Sequence, residues 1–283
     1  MTSTLDLAEE LTVAVQLAKE AGALIMEIYA TDFTVAYKGK GDPVTEADRR
    51  ANTLIVEGLR QRFPWDLIVA EESPVPVVSN QVERIWYVDP LDGTREFIAK
   101  NGEFAVMIGL AIHGQARLGV VFGPDKGILY SGVVGQGAWM EVPPGEPRPV
   151  QVSDKHKLSN LGLVVSRSHR HARLDQIREH LGVAQEIPCG SVGLKVGLIV
   201  QQIADLYVEP GPYTSAWDSC GPEAILKGAG GQLTNLLGEP LRYQPGNLKN
   251  TQGLVATNGK CHGQVIEALS PLVHQLGLRP ARA

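Results

Sequence analysis

The chain has 283 residues, 43% of them hydrophobic and 20% charged, enough for one large or two small domains with a full core. Its formal net charge of −5 gives no basic footprint for nucleic acid or an anionic membrane, so any anionic ligand has to be held by a local arrangement of groups. Three widely spaced cysteines, Cys189, Cys220 and Cys261, make neither a disulfide framework nor a zinc motif. With no basic leader ahead of an apolar segment and no apolar run of about 18 residues, the expectation is a soluble cytoplasmic protein with buried, inert thiols.

Taken in chain order, Leu7, Leu11, Val15, Ala18, Ala21, Ile25 and Ile28 recur at three- and four-residue intervals and predict an amphipathic helix over residues 5–29. Residues 37–48 read as a Gly/Pro-punctuated loop. A second helix follows, with Ala51, Leu54, Ile55, Gly58 and Leu59 on one side. Thr45 and Asp48 have the spacing of a capping box, so Asp48 on its own reads as a helix cap. Residues 68–70 predict a strand with Glu71 and Glu72 at its end, and residues 74–82 a loop.

Residues 84–88 are aromatic and β-branched and read as a buried strand that delivers Asp89 and Asp92 at its carboxyl end, where α/β folds place ligands. Pro90, which cannot donate to a ladder, is expected to stop this strand. Gly93 permits a tight turn, and the amides from Thr94 onward are placed to face an anion. Two carboxylates in one turn repel each other unless protonated or bridged by a cation, and hard oxygen ligands suit Mg²⁺. Read alone, the same turn is equally an Asp-rich turn with a helix cap.

Strand-like runs at 104–112, 116–123, 127–134 and 138–142 predict an antiparallel meander. Residues 143–149 hold four prolines and one glycine, which marks a boundary near 150–158 and gives two lobes, 1–155 and 156–283. The second lobe alternates strand and helix: strands at 161–166, 186–189 and 204–209, helices at 172–181 and 192–203, and a last helix at 264–276. The pattern is α/β with an antiparallel part, and contains no internal repeat.

Trp217-Asp218-Ser219-Cys220-Gly221-Pro222-Glu223 reads as a helix start, with Asp218 or Ser219 capping and Pro222 in the first turn. Ser166-Arg167-Ser168-His169 follows a strand, and Gly190-Ser191-Val192-Gly193-Leu194-Lys195 opens a helix, each ending in a cationic or polar side chain suited to a phosphate. On their own, Lys195 reads equally as a solvated helix lysine, His169 as a loop residue and Arg167 as half of a surface ion pair.

Asp89-Pro90-Leu91-Asp92-Gly93-Thr94 resembles the signature of the inositol monophosphatase superfamily. Val44-Thr45-Glu46-Ala47-Asp48, the pair Glu71-Glu72, the step Asn101-Gly102-Glu103-Phe104 and Trp217-Asp218 follow that family in order, although Ala70 replaces a glycine. The resemblance implies a layered α-β-α-β-α sugar-phosphatase-like fold. It also implies two or three Mg²⁺ ions held by Glu71, Asp89, the Leu91 carbonyl, Asp92 and Asp218, with Asp48 and Thr94 activating a water.

The segments 166–169 and 190–195 and the run Trp217-Asp218-x-Cys220-x-Pro222-Glu223 are most similar to the bisphosphate nucleotidase branch. There the resemblance puts Gly93, Thr94, Ser166, His169, Ser191, Lys195 and Asp218 against the substrate. Expected properties are lithium sensitivity, a monomer or homodimer, and hydrolysis of the 3′-phosphate of 3′-phosphoadenosine 5′-phosphate, with its 5′-phosphosulfate analogue as a further substrate. Inositol phosphates or sugar phosphates are the alternative substrates, and a metal-dependent nucleotide sensor without catalysis is the alternative class. A haloacid-dehalogenase reading of Asp92-Gly93-Thr94 fails because the two aspartates stand three apart and no later Gly-Asp-x-x-x-Asp follows.

Overall fold

A computed structural model describes residues 6–39, 42–76, 82–168, 173–275 and 277–278. The chain begins with helix α1 (Ala8–Tyr29), a hairpin of β1 (Val35–Gly39) and β2 (Asp42–Thr45), and helix α2 (Glu46–Arg62). Then come β3 (Leu67–Ala70), β4 (Arg84–Asp92), the short α3 (Thr94–Ile98), β5 (Ala105–Ile112), β6 (Gln115–Gly123), β7 (Ile128–Val133), β8 (Gly137–Glu141) and β9 (Arg148–Pro149). The remainder is β10 (Gly162–Ser166), α4 (Leu174–Leu181), β11 (Gln185–Cys189), α5 (Val192–Val200), β12 (Leu206–Glu209), α6 (Ala216–Gly228), β13 (Gln232–Thr234), β14 (Leu254–Thr257) and α7 (His262–Gln275).

Strands β3 to β9 form a seven-stranded sheet in sequence order, antiparallel except for the parallel β3–β4 pair. A five-stranded mixed sheet has the order β11-β10-β12-β14-β13. Both sheets are covered on both faces, and their alternation shows how. In the small sheet Val164, Tyr207 and Ala256 face α5 and α6, whereas Leu163, Val165, Leu206, Val208 and Val255 face α4 and α7. In the large sheet Trp86, Val88, Val106, Ile108 and Leu110 pack under α1 and α2, while Ile85, Tyr87, Met107 and Val121 face the other way. The stack is therefore α1/α2, large sheet, α5/α6, small sheet, α4/α7, the five layers that the resemblance implied.

A row of glycines seats the central helix. Gly109, Gly119 and Gly132 lie side by side on β5, β6 and β7, and each faces the backbone of α6. A Cβ on Gly119 would stand 2.0 Å from the Gly221 carbonyl oxygen, and one on Gly109 2.4 Å from the Gly221 nitrogen. Only a bare backbone permits this approach.

Several expectations need correction. Residues 35–39 and 42–45 pair as antiparallel strands rather than forming a loop. Pro90 does not stop β4: pairing skips from Asp89 to Asp92 and resumes with Asp92 opposite Ala105, because an irregularity in the ladder absorbs the missing donor. Helix α5 ends at Val200, and α6 starts at Ala216 behind Ser215, so Pro222 lies inside the helix and not in its first turn. Strands β13 and β14, in a stretch without a run of β-branched residues long enough to mark them, were not anticipated.

Candidate active site

A cleft of about 460 Å³ opens where the carboxyl end of β4 meets the starts of α3, α5 and α6. Its wall includes Glu71, Asp89, Leu91, Asp92, Gly93 and Thr94, and across from them Ser166, Gly190, Lys195 and Asp218. Oxygens of Asp89, Asp92 and Asp218, from two segments more than a hundred residues apart in sequence, all lie within 4.8 Å of one another.

Each carboxylate is placed by its own backbone. Asp89 accepts the Leu91 amide at 2.9 Å, which orders the turn. Asp92 accepts the Ser191 hydroxyl at 2.6 Å and the Val192 and Gly193 amides at 2.5 and 3.3 Å, so it caps a helix that begins a hundred residues later. Asp218 accepts the Ser215 amide at the start of α6. Asp48 takes the Thr45 amide and hydroxyl on one oxygen, at 2.7 and 2.6 Å, as the capping box predicted. Its other oxygen accepts the Thr94 hydroxyl at 3.0 Å, with the Leu91 carbonyl 3.3 Å from the same hydroxyl. One carboxylate thus caps α2 and also reaches Thr94, a residue of the cleft wall.

Crowding changes the acid strengths. Burial first, then the charges of Glu71, Asp92 and Asp218, raises Asp89 well above the ordinary carboxylate range. Burial and the charges of Asp92 and Glu71 push Asp218 up to about 8. Burial raises Asp92 against the opposing pull of Lys195 and Ser191, and it raises Asp48 against its hydrogen bonds from Thr45 and Thr94. Glu71 is also raised by burial, which outweighs Lys38; the Lys38 ammonium sits 2.9 Å from Glu71 and 2.5 Å from Glu72. Buried carboxylates that raise one another's pKa form a cluster of hard oxygen donors, and such a cluster fits a hard divalent ion.

The remaining expected residues divide. Ser166 and Lys195 line the cleft, but Lys195 is no solvated helix lysine: it is 2% exposed, donates to the Gly190 carbonyl and lies 5.2 Å over the Tyr207 ring. Ser191 is fully buried, with its hydroxyl on Asp92. Arg167 forks Glu103 with two 2.6 Å bonds, the ion pair that was its alternative, and the Glu103 carbonyl takes the Ser191 amide at 3.1 Å. His169 lies outside the described residues.

Sequence reasoning missed Lys38, Tyr207, Glu209 and Lys249. Glu209 ends β12 as Glu71 follows β3, so the same strand-end rule would have found it. Lys249, which donates to the Ser215 hydroxyl at 3.0 Å from a loop that crosses the start of α6, carries no local signal.

The fold and the acidic cleft define a phosphatase of the five-layered sugar-phosphatase type, and the sequence profile of the inositol monophosphatase family matches residues 6–274. The chain belongs to that family. Within it, it groups with the CysQ-type enzymes. The 3′(2′),5′-bisphosphate nucleotidase CysQ of Escherichia coli K12 is 40% identical over 233 residues, covering 81% of this chain and 92% of that protein. The Buchnera aphidicola protein of the same name is 36% identical over 231 residues, covering 81% of this chain and 85% of that one. Among solved structures, CysQ from Bacteroides thetaiotaomicron superposes with a TM-score of 0.74 at 28% identity, covering 89% of this chain and 97% of that one. The inositol monophosphatase from Anabaena also gives 0.74 at 28% identity, covering 94% and 96%.

Proposed function

We propose that the chain is a Mg²⁺-dependent 3′(2′),5′-bisphosphate nucleotidase that releases the 3′-phosphate of 3′-phosphoadenosine 5′-phosphate to give AMP, and that acts likewise on the 5′-phosphosulfate analogue. The observation that carries this reading is the convergence of Asp89, Asp92 and Asp218 in a cleft whose wall also bears the ammonium groups of Lys195 and Lys249. The likeness to CysQ proteins supports the same substrate class.

Glu71, Asp89, the Leu91 carbonyl, Asp92 and Asp218 are the groups proposed to hold two or three Mg²⁺ ions. When bound, such ions offset the carboxylate charge, make a water more acidic and stabilise a leaving alkoxide. Thr94 and Asp48 orient the attacking water: the Thr94 hydroxyl faces the cleft and hands a proton toward Asp48, whose burial makes it a stronger base than a solvated aspartate. The Gly93 and Thr94 amides, at the start of α3, face the non-bridging phosphate oxygens. The water oxygen bonds to phosphorus as the bond from phosphorus to the ribose 3′-oxygen breaks. That oxygen then takes up a proton, and the products are AMP and orthophosphate. Ser166, His169 and Lys195 remain the proposed substrate-side residues; Lys195 lines the cleft and its charge acts on Asp92, whereas Ser191 donates its hydroxyl to Asp92.

One observation favours a second reading. Glu209 is 4% exposed and lines the same cleft, where a carboxylate accepts polyol hydroxyls and repels a second phosphate, so inositol 1-phosphate is the substrate it would favour. Phosphate release from the bisphosphate nucleotide, inositol 1-phosphate and fructose 1,6-bisphosphate, each in Mg²⁺, separates the two. The expected result is kcat/KM at least about tenfold higher on the nucleotide, equivalent to about 1.4 kcal/mol of transition-state discrimination. A preference for inositol 1-phosphate would reverse the assignment.

A further inference from the structure

The CysQ-like reading assigns Ser191 to the substrate, but its geometry places it elsewhere. Its side chain is fully buried, its oxygen accepts the Leu194 amide at 3.2 Å, and its proton is thereby directed at Asp92, 2.6 Å away. The Val192 amide reaches the same Asp92 oxygen at 2.5 Å, and the Gly193 amide at 3.3 Å. Three donors on one oxygen fix the rotation of the carboxylate, and the other oxygen accepts no hydrogen bond from the described residues. The Ser191 amide is itself tied to the Glu103 carbonyl at 3.1 Å, so the donor group cannot follow a turning carboxylate.

We infer that Ser191 is a positioning residue that clamps Asp92 as a one-oxygen ligand and thereby tunes the site toward Mg²⁺ and against Ca²⁺. The inference rests on the reading of Asp92 as a cation ligand. Mg²⁺ demands a near-octahedral shell of single oxygens, whereas Ca²⁺ accepts a carboxylate through both oxygens at longer range. A clamped Asp92 serves the first ion. A released Asp92 that swings to present both oxygens serves the second.

The test is calorimetric binding of Mg²⁺ and of Ca²⁺ to the full chain, with no substrate and no turnover, for the wild type, Ser191→Ala, Ser191→Thr, Asp92→Asn and the Ser191→Ala/Asp92→Asn double variant. Ser191→Ala is expected to weaken Mg²⁺ binding about tenfold, the lower end of the effect of removing a hydrogen-bond partner of a metal ligand. Ca²⁺ affinity should rise, because the released carboxylate can present both oxygens, and Ser191→Thr, which keeps the hydroxyl, should restore both wild-type values. Ser191→Ala should add nothing once Asp92→Asn is present, because the clamp then has no charged ligand to hold. Equal losses for both ions, or an undiminished effect of Ser191→Ala in the Asp92→Asn background, overturns the clamp in favour of a helix cap alone. Retention of full Mg²⁺ affinity by Asp92→Asn itself overturns the ligand reading beneath it. Thermal unfolding of each variant, run beside the calorimetry, identifies any that fails to fold; if Ser191→Thr is one of them, the double-variant comparison decides alone.

Discussion

At Asp218 one oxygen accepts the Ser215 amide that opens α6, while the carboxyl faces Asp89 and Asp92 across the cleft. The two jobs ask for different things, since a cap needs an acceptor and a cation needs charge. Asparagine supplies the first without the second. Asp218→Asn should therefore keep the helix start and lose catalysis by more than about 100-fold, beyond the usual cost of disturbing only the support of a ligand. Asp218→Ala should lose the same activity and also about 1 kcal/mol of stability for the missing acceptor. Urea unfolding in chelator, beside phosphate release, measures both. Equal stability of the two variants would show that the Ser215 contact contributes nothing to holding the helix. Residues of this kind were half legible in the sequence: the spacing from Thr45 to Asp48 announced a cap, the family resemblance alone implied a second role, and the contact with Thr94, 46 residues away, has no local signal. Ser215 to Asp218 repeats that spacing at α6, yet Pro222 drew the expected helix start too far along the chain.

Among the elements, α6 is the piece whose position matters most, because it carries Asp218 to the partners delivered by β4. Its seat is the glycine row on β5, β6 and β7, and contact there is backbone to backbone. Adding one methyl group, Gly119→Ala, leaves no space and must push the helix away at a cost of about 1–3 kcal/mol. Asp218 moves with it, so cation affinity should fall even though no ligand has changed. Gly246→Ala, at a position with open space around the new methyl, is the control and should do neither. Unchanged Mg²⁺ binding in folded Gly119→Ala would show that the seat does not set the site. The sequence gives no warning of this row: each glycine reads as a local weakness in a strand, and only the register of Gly109 with Gly119 and Gly132 turns the three into a groove. The meander itself was readable, because its strands are bounded by clear turn residues. The small sheet was readable only in part, since β13 is three residues long and its partner β14 follows a long loop.

For the whole molecule, stability should follow pH differently with and without a divalent ion. His262 is enclosed between the Thr234 and Thr257 hydroxyls, 3.0 Å from each, and burial lowers its pKa to about 4. A group whose folded pKa is depressed contributes stability above its unfolded value that is lost as pH falls, so stability should decline from about pH 6.5 toward 4. Asp218 acts in the opposite direction. With its folded pKa raised to about 8, metal-free protein should lose stability progressively as pH rises from the ordinary carboxylate range through 8. Between about pH 4 and 6.5 the two contributions oppose each other with equal slope, so thermal unfolding in chelator should show a plateau there and a decline from about 6.5 through 8, and saturating Mg²⁺ should remove the alkaline decline and uncover the acid one. An alkaline decline that persists in Mg²⁺ would place its source outside the carboxylate cluster. No helix among the described residues is long and apolar enough to cross a membrane.

The double use of aspartates as helix caps and as cation-facing groups bears on how this fold changes over generations. Aspartate and asparagine codons differ by a single base, and asparagine caps a helix about as well as aspartate does. Under the proposed function, one base change at Asp48, Asp92 or Asp218 is therefore expected to remove turnover from a protein that still folds and keeps its cleft and its two lysines. On that reading a binding protein for the same substrate is expected to lie one mutational step away, with the helix caps preserving the fold of the intermediate.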